Sequence, residues 1–125
     1  MRNFIATIIL LHLSFVVYAQ DSPLEGIYSL LVPEQSAYLT VQVKGNDVII
    51  MFLDNDGWEP YVGTVDGNVF TAVGVTAIVG VDVKISAFLS TPSILSITID
   101  SCSSVAEGIE CIFPSGYTLQ AFKVW

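Results

Sequence analysis

The chain has 125 residues, of which 53% are hydrophobic, and twelve acidic side chains stand against four Lys and Arg. That length suits one domain with one modest core. A chain so poor in basic residues cannot neutralise phosphates, so nucleic-acid binding is excluded as a function class, and anionic membrane surfaces would repel it.

The first nineteen residues have the pattern of an export signal. Arg2 gives a positive start, residues 4–17 are apolar, and Val17-Tyr18-Ala19 has the small-x-small pattern that a signal peptidase cleaves. The apolar run is shorter than the roughly 20 residues of a spanning helix, which disfavours the alternative of an uncleaved anchor. We therefore predict a signal peptide at 1–19 and a secreted or periplasmic domain at 20–125.

Removal of the signal leaves 106 residues and a net charge of −9, from twelve acids and the lysines Lys44, Lys84 and Lys123. No Arg and no His are left, so there is no Ser-His-Asp or Cys-His pair and no imidazole ligand for zinc. We predict a protein that is not an enzyme and has no cofactor, no catalytic residue and no metal site. Basic partners and apolar ligands are compatible with this composition.

Cys102 and Cys111 are the two cysteines of the chain. After export into an oxidising compartment they are expected to form a disulfide, which stabilises a loop of this length by about 2–3 kcal/mol. The spacing is not the Cys-x-x-Cys of a redox pair. The prediction is a structural bridge.

The first half of the mature chain is a series of short strands. Segment 26–32 opens it, and in 37–44 one face collects Leu39, Val41 and Val43. Gly45-Asn46 predicts a tight hairpin turn, Asp54-Asn55-Asp56-Gly57 a second reversal, and Asp66-Gly67 a type I′ turn. Strands are expected at 48–53, 58–65 and 68–73. Because 48–53 is apolar at every position, we expect it to be covered on both faces.

The second half has the clearest alternation, at residues 76–90. A period of two collects these apolar side chains on one face: Ala77, Val79, Val81, Val83, Ile85, Ala87 and Leu89. Asp82, Lys84 and Ser86 then face water, so Val81→Asp should unfold the domain while Asp82→Ser or Lys84→Ser should cost little. Further strands are expected at 94–101 and 117–125.

About eight strands joined by tight turns predict an all-β fold, a single small antiparallel up-and-down β-barrel with the shape of lipocalins and avidins. Closure favours the barrel because it removes exposed strand edges, and the alternative is a two-sheet β-sandwich. Gly26-Ile27-Tyr28 resembles the Gly-x-Trp opening of lipocalins and the similar opening of avidins, with Tyr in place of Trp. The likeness covers three residues, so it assigns no family and no ligand-binding residue.

The densest acidic cluster contains Asp54, Asp56, Gly57 and Glu59. Oxygen-rich turns can hold calcium, but the spacing of an EF-hand is missing, and Asp and Gly are the residues that a turn requires. No acidic residue has neighbours in the sequence that predict a raised pKa, so we interpret the acids as turn formers and surface charges.

The leading hypothesis is an exported, non-enzymatic barrel that binds a small apolar molecule in its mouth. An acidic inhibitor or adaptor that docks a basic exported protein is the alternative. A second alternative is a small outer-membrane β-barrel, because an aromatic residue ends the chain and one strand face would present Tyr117, Leu119, Ala121, Lys123 and Trp125 to lipid. The first two hypotheses leave open whether the interior is a cavity or packed solid.

Overall fold

The computed structural model describes residues 21–32, 35–75 and 80–125. The predicted signal peptide, and Ala77 and Val79 of the alternating segment, lie outside these residues. The described part contains eight antiparallel strands in one closed barrel, each paired with its neighbour in sequence and β1 with β8. They are β1 (Gly26–Val32), β2 (Gln35–Lys44), β3 (Asp47–Asp54), β4 (Gly57–Asp66), β5 (Val69–Gly74), β6 (Val81–Thr91), β7 (Ile94–Ser104) and β8 (Thr118–Lys123).

The predicted up-and-down barrel is confirmed, and the two-sheet sandwich is wrong. The tight turns explain the topology, because antiparallel neighbours joined by two residues pair in sequence order. Gly45 has φ +62°, a backbone conformation that favours glycine, and it follows β2 directly. Gly67 has the same φ, but the turn between β4 and β5 comprises Gly67 and Asn68 rather than the predicted Asp66 and Gly67, because Asp66 still pairs with Val69.

Apolar side chains that point into the barrel form its core, and the described chain buries no polar or charged residue. Inward positions alternate along each strand as the sequence predicts. The following side chains are buried: Leu24, Tyr28, Leu30, Ala37, Leu39, Val41, Val48, Ile50, Phe70, Ala72, Val83, Ile85, Ala87, Leu95, Ile97, Ile99, Leu119 and Ala121. Val43 and Val81 pack against this core while partly exposed, whereas Asp82 and Lys84 face outward, so the face assignment is confirmed.

Strand β3 corrects one expectation. Val48 and Ile50 point into the core, but Ile49 is 49% exposed and Leu53 is 50% exposed. The strand is therefore covered on one face only. A closed barrel has a single layer of sheet, so an outward apolar side chain gains no second layer unless a loop reaches it.

Strand β8 corrects a second expectation. It ends at Lys123 rather than at Trp125, and Leu119 and Ala121 lie in the core instead of on the outside. The outward, lipid-facing orientation expected for this stripe is therefore wrong at Leu119 and Ala121, which point into the barrel. Separately, residues 21–32, 35–75 and 80–125 contain no helix with the length and hydropathy required to cross a bilayer.

The two ends of the barrel differ. At the closed end, where β1 begins and β8 finishes, the preceding segment places Leu24 fully inside the core. At the open end, where β3 and β7 finish and β4 and β6 begin, residues 105–117 lie beside the mouth of a cavity. The candidate functional site is at the open end.

Candidate functional site

A cavity of about 230 Å³ extends from the open end into the barrel. Its wall is mainly apolar because each strand directs its inward side chains toward the same axis. The residues that line it are Leu30, Leu39, Ile50, Phe52, Asp54, Glu59, Tyr61, Phe70, Val81, Val83, Ile85, Ile97, Ile99, Cys102, Ile109, Glu110, Cys111, Ile112, Phe113 and Leu119. The interior is therefore packed at one end and hollow at the other.

The Cys102–Cys111 disulfide holds one side of the mouth. The predicted bridge is confirmed, with 6.1 Å between the two Cα atoms. Cys102 is in β7, and the bridge ties to it a loop whose Ile109, Ile112 and Phe113 side chains line the cavity. The disulfide is thus part of the cavity wall as well as a constraint on the chain.

Hydrogen bonds and ring contacts fix the return of this loop into β8. The Gly116 amide donates to the Ile99 carbonyl at 2.7 Å, and the Ile99 amide donates to the Tyr117 carbonyl at 2.9 Å. The Phe113 and Tyr117 rings stack with centroids 5.0 Å apart. The Ser104 hydroxyl lies within hydrogen-bond distance of the carbonyls of Ala106 and Ile109, which share its one proton. These contacts define the position of Phe113 and Ile109 at the mouth.

Asp54 ends β3 at the edge of the cavity and also forms the turn into β4. Its Oδ1 accepts hydrogen bonds from the amides of Asp56 at 2.8 Å and Gly57 at 3.2 Å. This is the turn chemistry expected of the acidic cluster. Within the three described stretches of chain, no group of three or more His, Cys, Asp or Glu side chains is arranged to hold a metal ion.

Glu59 and Tyr61 project from β4 into the cavity. Burial is the largest cause that raises the pKa of the Glu59 carboxyl, and the charge of Asp54 adds to it. The Tyr61 hydroxyl donates to Glu59 Oε2 at 3.1 Å, which acts in the opposite direction. Burial and then the Glu59 charge raise the pKa of Tyr61. The expectation that no carboxyl has a raised pKa is wrong for Glu59.

At the closed end a second tyrosine has a different role. The Tyr28 hydroxyl is buried and donates to the Leu24 carbonyl at 2.8 Å, and burial raises the pKa of Tyr28 to about 12. Lys123 Nζ lies 5.8 Å from the centroid of the Tyr28 ring and donates to the Pro23 carbonyl at 3.0 Å. These two hydrogen bonds hold the segment before β1 against β1 and β8 at the closed end of the barrel.

No protein-family model matches the sequence, and no curated protein sequence matches it. Among solved structures the fold is similar to that of Tp0751 (pallilysin) of Treponema pallidum, with a TM-score of 0.50 and 9% sequence identity. The match covers 81% of this chain and 80% of the other. At this identity the likeness concerns the barrel fold.

The sequence identified the disulfide and the inward strand faces of the site but missed the loop side chains and Glu59. One signal was present for the loop, since Ile109, Ile112 and Phe113 are apolar residues in an irregular segment next to a disulfide. For Glu59 the signal was weaker: it shares the inward period of β4 with Tyr61. Neither of these two signals in the sequence indicates which end of the barrel is hollow.

Proposed function

We propose that the protein is an exported, non-enzymatic β-barrel that binds a small apolar molecule in the cavity at its open end. The observation that supports this function is the apolar cavity of about 230 Å³, which opens beside the loop at 105–117. An apolar cavity of about 150 Å³ is enough to bind benzene, so this one suits a ligand of about nine non-hydrogen atoms.

Export is the second part of the proposal. It is supported by the predicted signal segment at 1–19 and by the Cys102–Cys111 disulfide, which forms and persists in oxidising compartments. A secreted or periplasmic barrel would meet small apolar molecules outside the cytoplasmic membrane. The intact mass of protein from its native compartment tests this, with the first residue at Gln20 as the expected result.

The apolar interior, together with the polar outward residues of β6 and β7, supports a barrel in water over one that faces lipid. On β6 and β7 the outward positions carry Asp82, Lys84, Thr98 and Asp100, while the inward positions are apolar. A lipid-facing barrel has the reverse arrangement, with an apolar outer band and a polar interior.

The binding function is tested with 2-naphthol, a neutral apolar molecule whose fluorescence responds to its surroundings. We expect saturable binding to the folded protein that is lost on unfolding. Val81→Phe should weaken this binding by about tenfold or more, because the ring occupies the cavity at its mouth. Val43→Phe is the matched control: Val43 also packs against the core while partly exposed, yet it does not line the cavity.

Absence of saturable binding by the folded wild-type protein would contradict the proposed function. Equal losses of binding in Val81→Phe and Val43→Phe would also contradict it, since they would place the ligand outside the cavity. The melting temperatures of both variants show whether either loss comes from unfolding.

A second proposal, that the protein docks a basic exported protein, is supported by the many acidic side chains on its exterior. The described exposed acids are Asp21, Asp47, Asp56, Asp66, Asp82, Asp100, Glu107 and Glu110. Such a surface would steer a basic protein to it. Titration with purified hen lysozyme tests the charge effect: we expect binding that weakens as salt rises, and no binding at low salt would contradict the proposal.

A further inference from the structure

The mouth of the cavity carries negative charge with no positive charge to balance it. Asp54, Glu59 and Glu110 line the cavity together with its apolar wall, and no Lys, Arg or His of residues 21–32, 35–75 and 80–125 does. The lysines of the mature chain lie elsewhere. Lys44 ends β2 at the closed end, Lys84 faces outward, and Lys123 donates to the Pro23 carbonyl.

The surroundings of Glu59 make this imbalance costly to the protein. The carboxyl is half-buried among apolar side chains, and the nearby Asp54 has the same charge. The Tyr61 hydroxyl, 3.1 Å from Glu59 Oε2, gives a neutral hydrogen bond rather than a compensating charge. A carboxylate partly removed from water in this way is stabilised by a cation that arrives with the ligand.

We propose that the cavity selects small apolar molecules that carry a protonated amine. The hydrocarbon part would occupy the apolar interior, and the ammonium group would lie at the mouth beside Glu59, with Asp54 and Glu110 adding attraction. A molecule of the same shape with a carboxylate head would meet three like charges. This inference rests on the proposed function, because it names the chemical class of ligand for the same cavity.

The proposal also predicts a pH dependence for amines. The titratable side chains that line the cavity are Asp54 from β3, Glu59 and Tyr61 from β4, and Glu110 from the loop. The described strands β1, β2 and β5–β8 contribute none, since Cys102 is in the disulfide. Protonation of Glu59 removes the charge that attracts the amine, so affinity for an amine should rise from acidic to neutral pH while affinity for a neutral molecule stays constant.

The test compares three ligands that share one tail: octylamine, octanol and octanoate. Their dissociation constants are measured directly by isothermal titration calorimetry at low salt and neutral pH. We expect octylamine to bind tightest, octanol less tightly and octanoate most weakly. Glu59→Gln should weaken octylamine binding about three- to tenfold, as for one partly buried charge pair, and leave octanol binding unchanged.

Glu107→Gln is the matched control. It removes the same charge from the loop at 105–117, but Glu107 is exposed and does not line the cavity. We expect it to leave the preference for octylamine over octanol intact. A second measurement uses the wild-type protein alone and follows octylamine and octanol binding from about pH 4 to 7. We expect affinity to rise with pH for octylamine and to stay constant for octanol.

The outcomes separate the two proposals. Failure of 2-naphthol and of all three octyl compounds to bind would contradict the proposed function. Binding of octanol or octanoate at least as tightly as octylamine would overturn the amine preference and leave apolar binding standing. The amine preference would also be overturned if Glu59→Gln kept the wild-type preference for octylamine over octanol, or if octylamine affinity did not change with pH.

Discussion

The closed end and the open end of this barrel are built from the same kind of strand, yet one is filled and the other is hollow. At the closed end the segment before β1 folds inward, Leu24 is fully buried and the Tyr28 hydroxyl caps its carbonyl. At the open end the loop at 105–117 lies beside the mouth and lines it without filling it. The contacts that close and stabilise the barrel and the cavity that we propose as a binding site are therefore located at opposite ends.

The largest expected difference in stability between the two ends comes from placing a charged side chain inside each of them. Leu24→Asp should unfold the protein, because an unpaired buried carboxylate costs several kcal/mol against a total stability of about 5–15 kcal/mol. Val81→Asp, which the sequence alone predicts to unfold the domain, should cost much less, because Val81 lies at the mouth and is partly exposed. Urea denaturation measures both, and equal losses would remove the distinction between the ends.

Removal of the disulfide should affect stability and binding together. The Cys102→Ser, Cys111→Ser double variant should lose about 2–3 kcal/mol, the loop-closure contribution of a short loop. It should also bind 2-naphthol more weakly, because Ile109, Ile112 and Phe113 would no longer be held at the mouth. Ser103→Ala, exposed in the same stretch of β7, is the control and should change neither. A double variant with full affinity would show that the loop holds its position without the bridge.

A pair of tyrosine variants compares the hydrogen bonds of the two ends. Tyr28→Phe leaves the Leu24 carbonyl buried without its partner, and we expect a loss of about 1–2 kcal/mol. Tyr61→Phe should cost less, because Tyr61 is partly exposed and Glu59 can be solvated at the mouth. Thermal denaturation ranks the two, and a larger loss for Tyr61→Phe would reverse the assignment of stability to the closed end.

The smallest expected effect is the pH dependence that Glu59 gives to stability. Its pKa is higher in the folded protein than the ordinary value of 4.5, so the folded state holds this proton more tightly than the unfolded state does. The stabilising contribution is present below the ordinary value and is lost as pH rises through the folded pKa. Glu59→Gln should therefore gain stability relative to wild type between acidic and neutral pH. Glu107→Gln, which removes an exposed carboxylate outside the cavity, is the comparison, and urea denaturation across that pH range measures both variants.

Much of the fold was predictable because its rules are local. Alternation assigned Leu39, Val41 and Val83 to the inside, and turn residues such as Gly45 separated the strands. Several boundaries were off by a few residues: the turn at Gly67 lies one residue later, β8 stops two residues early, and β7 continues to Ser104 rather than 101. In contrast, the exposure of Ile49 was not predictable, since apolar character on both faces does not reveal how many layers the fold has.

By itself the sequence determined the strand count, the inward face of most strands, the disulfide partners and the acidic charge, because each depends on neighbours along the chain or on composition. Only the tertiary structure decided that the barrel closes, that Leu24 fills one end, and that Glu59 and Asp54 meet an apolar cavity at the other. The physical reason is that a cavity is the space left over when eight strands and their loops pack. That space depends on side chains from the whole chain at once, and no local pattern records it.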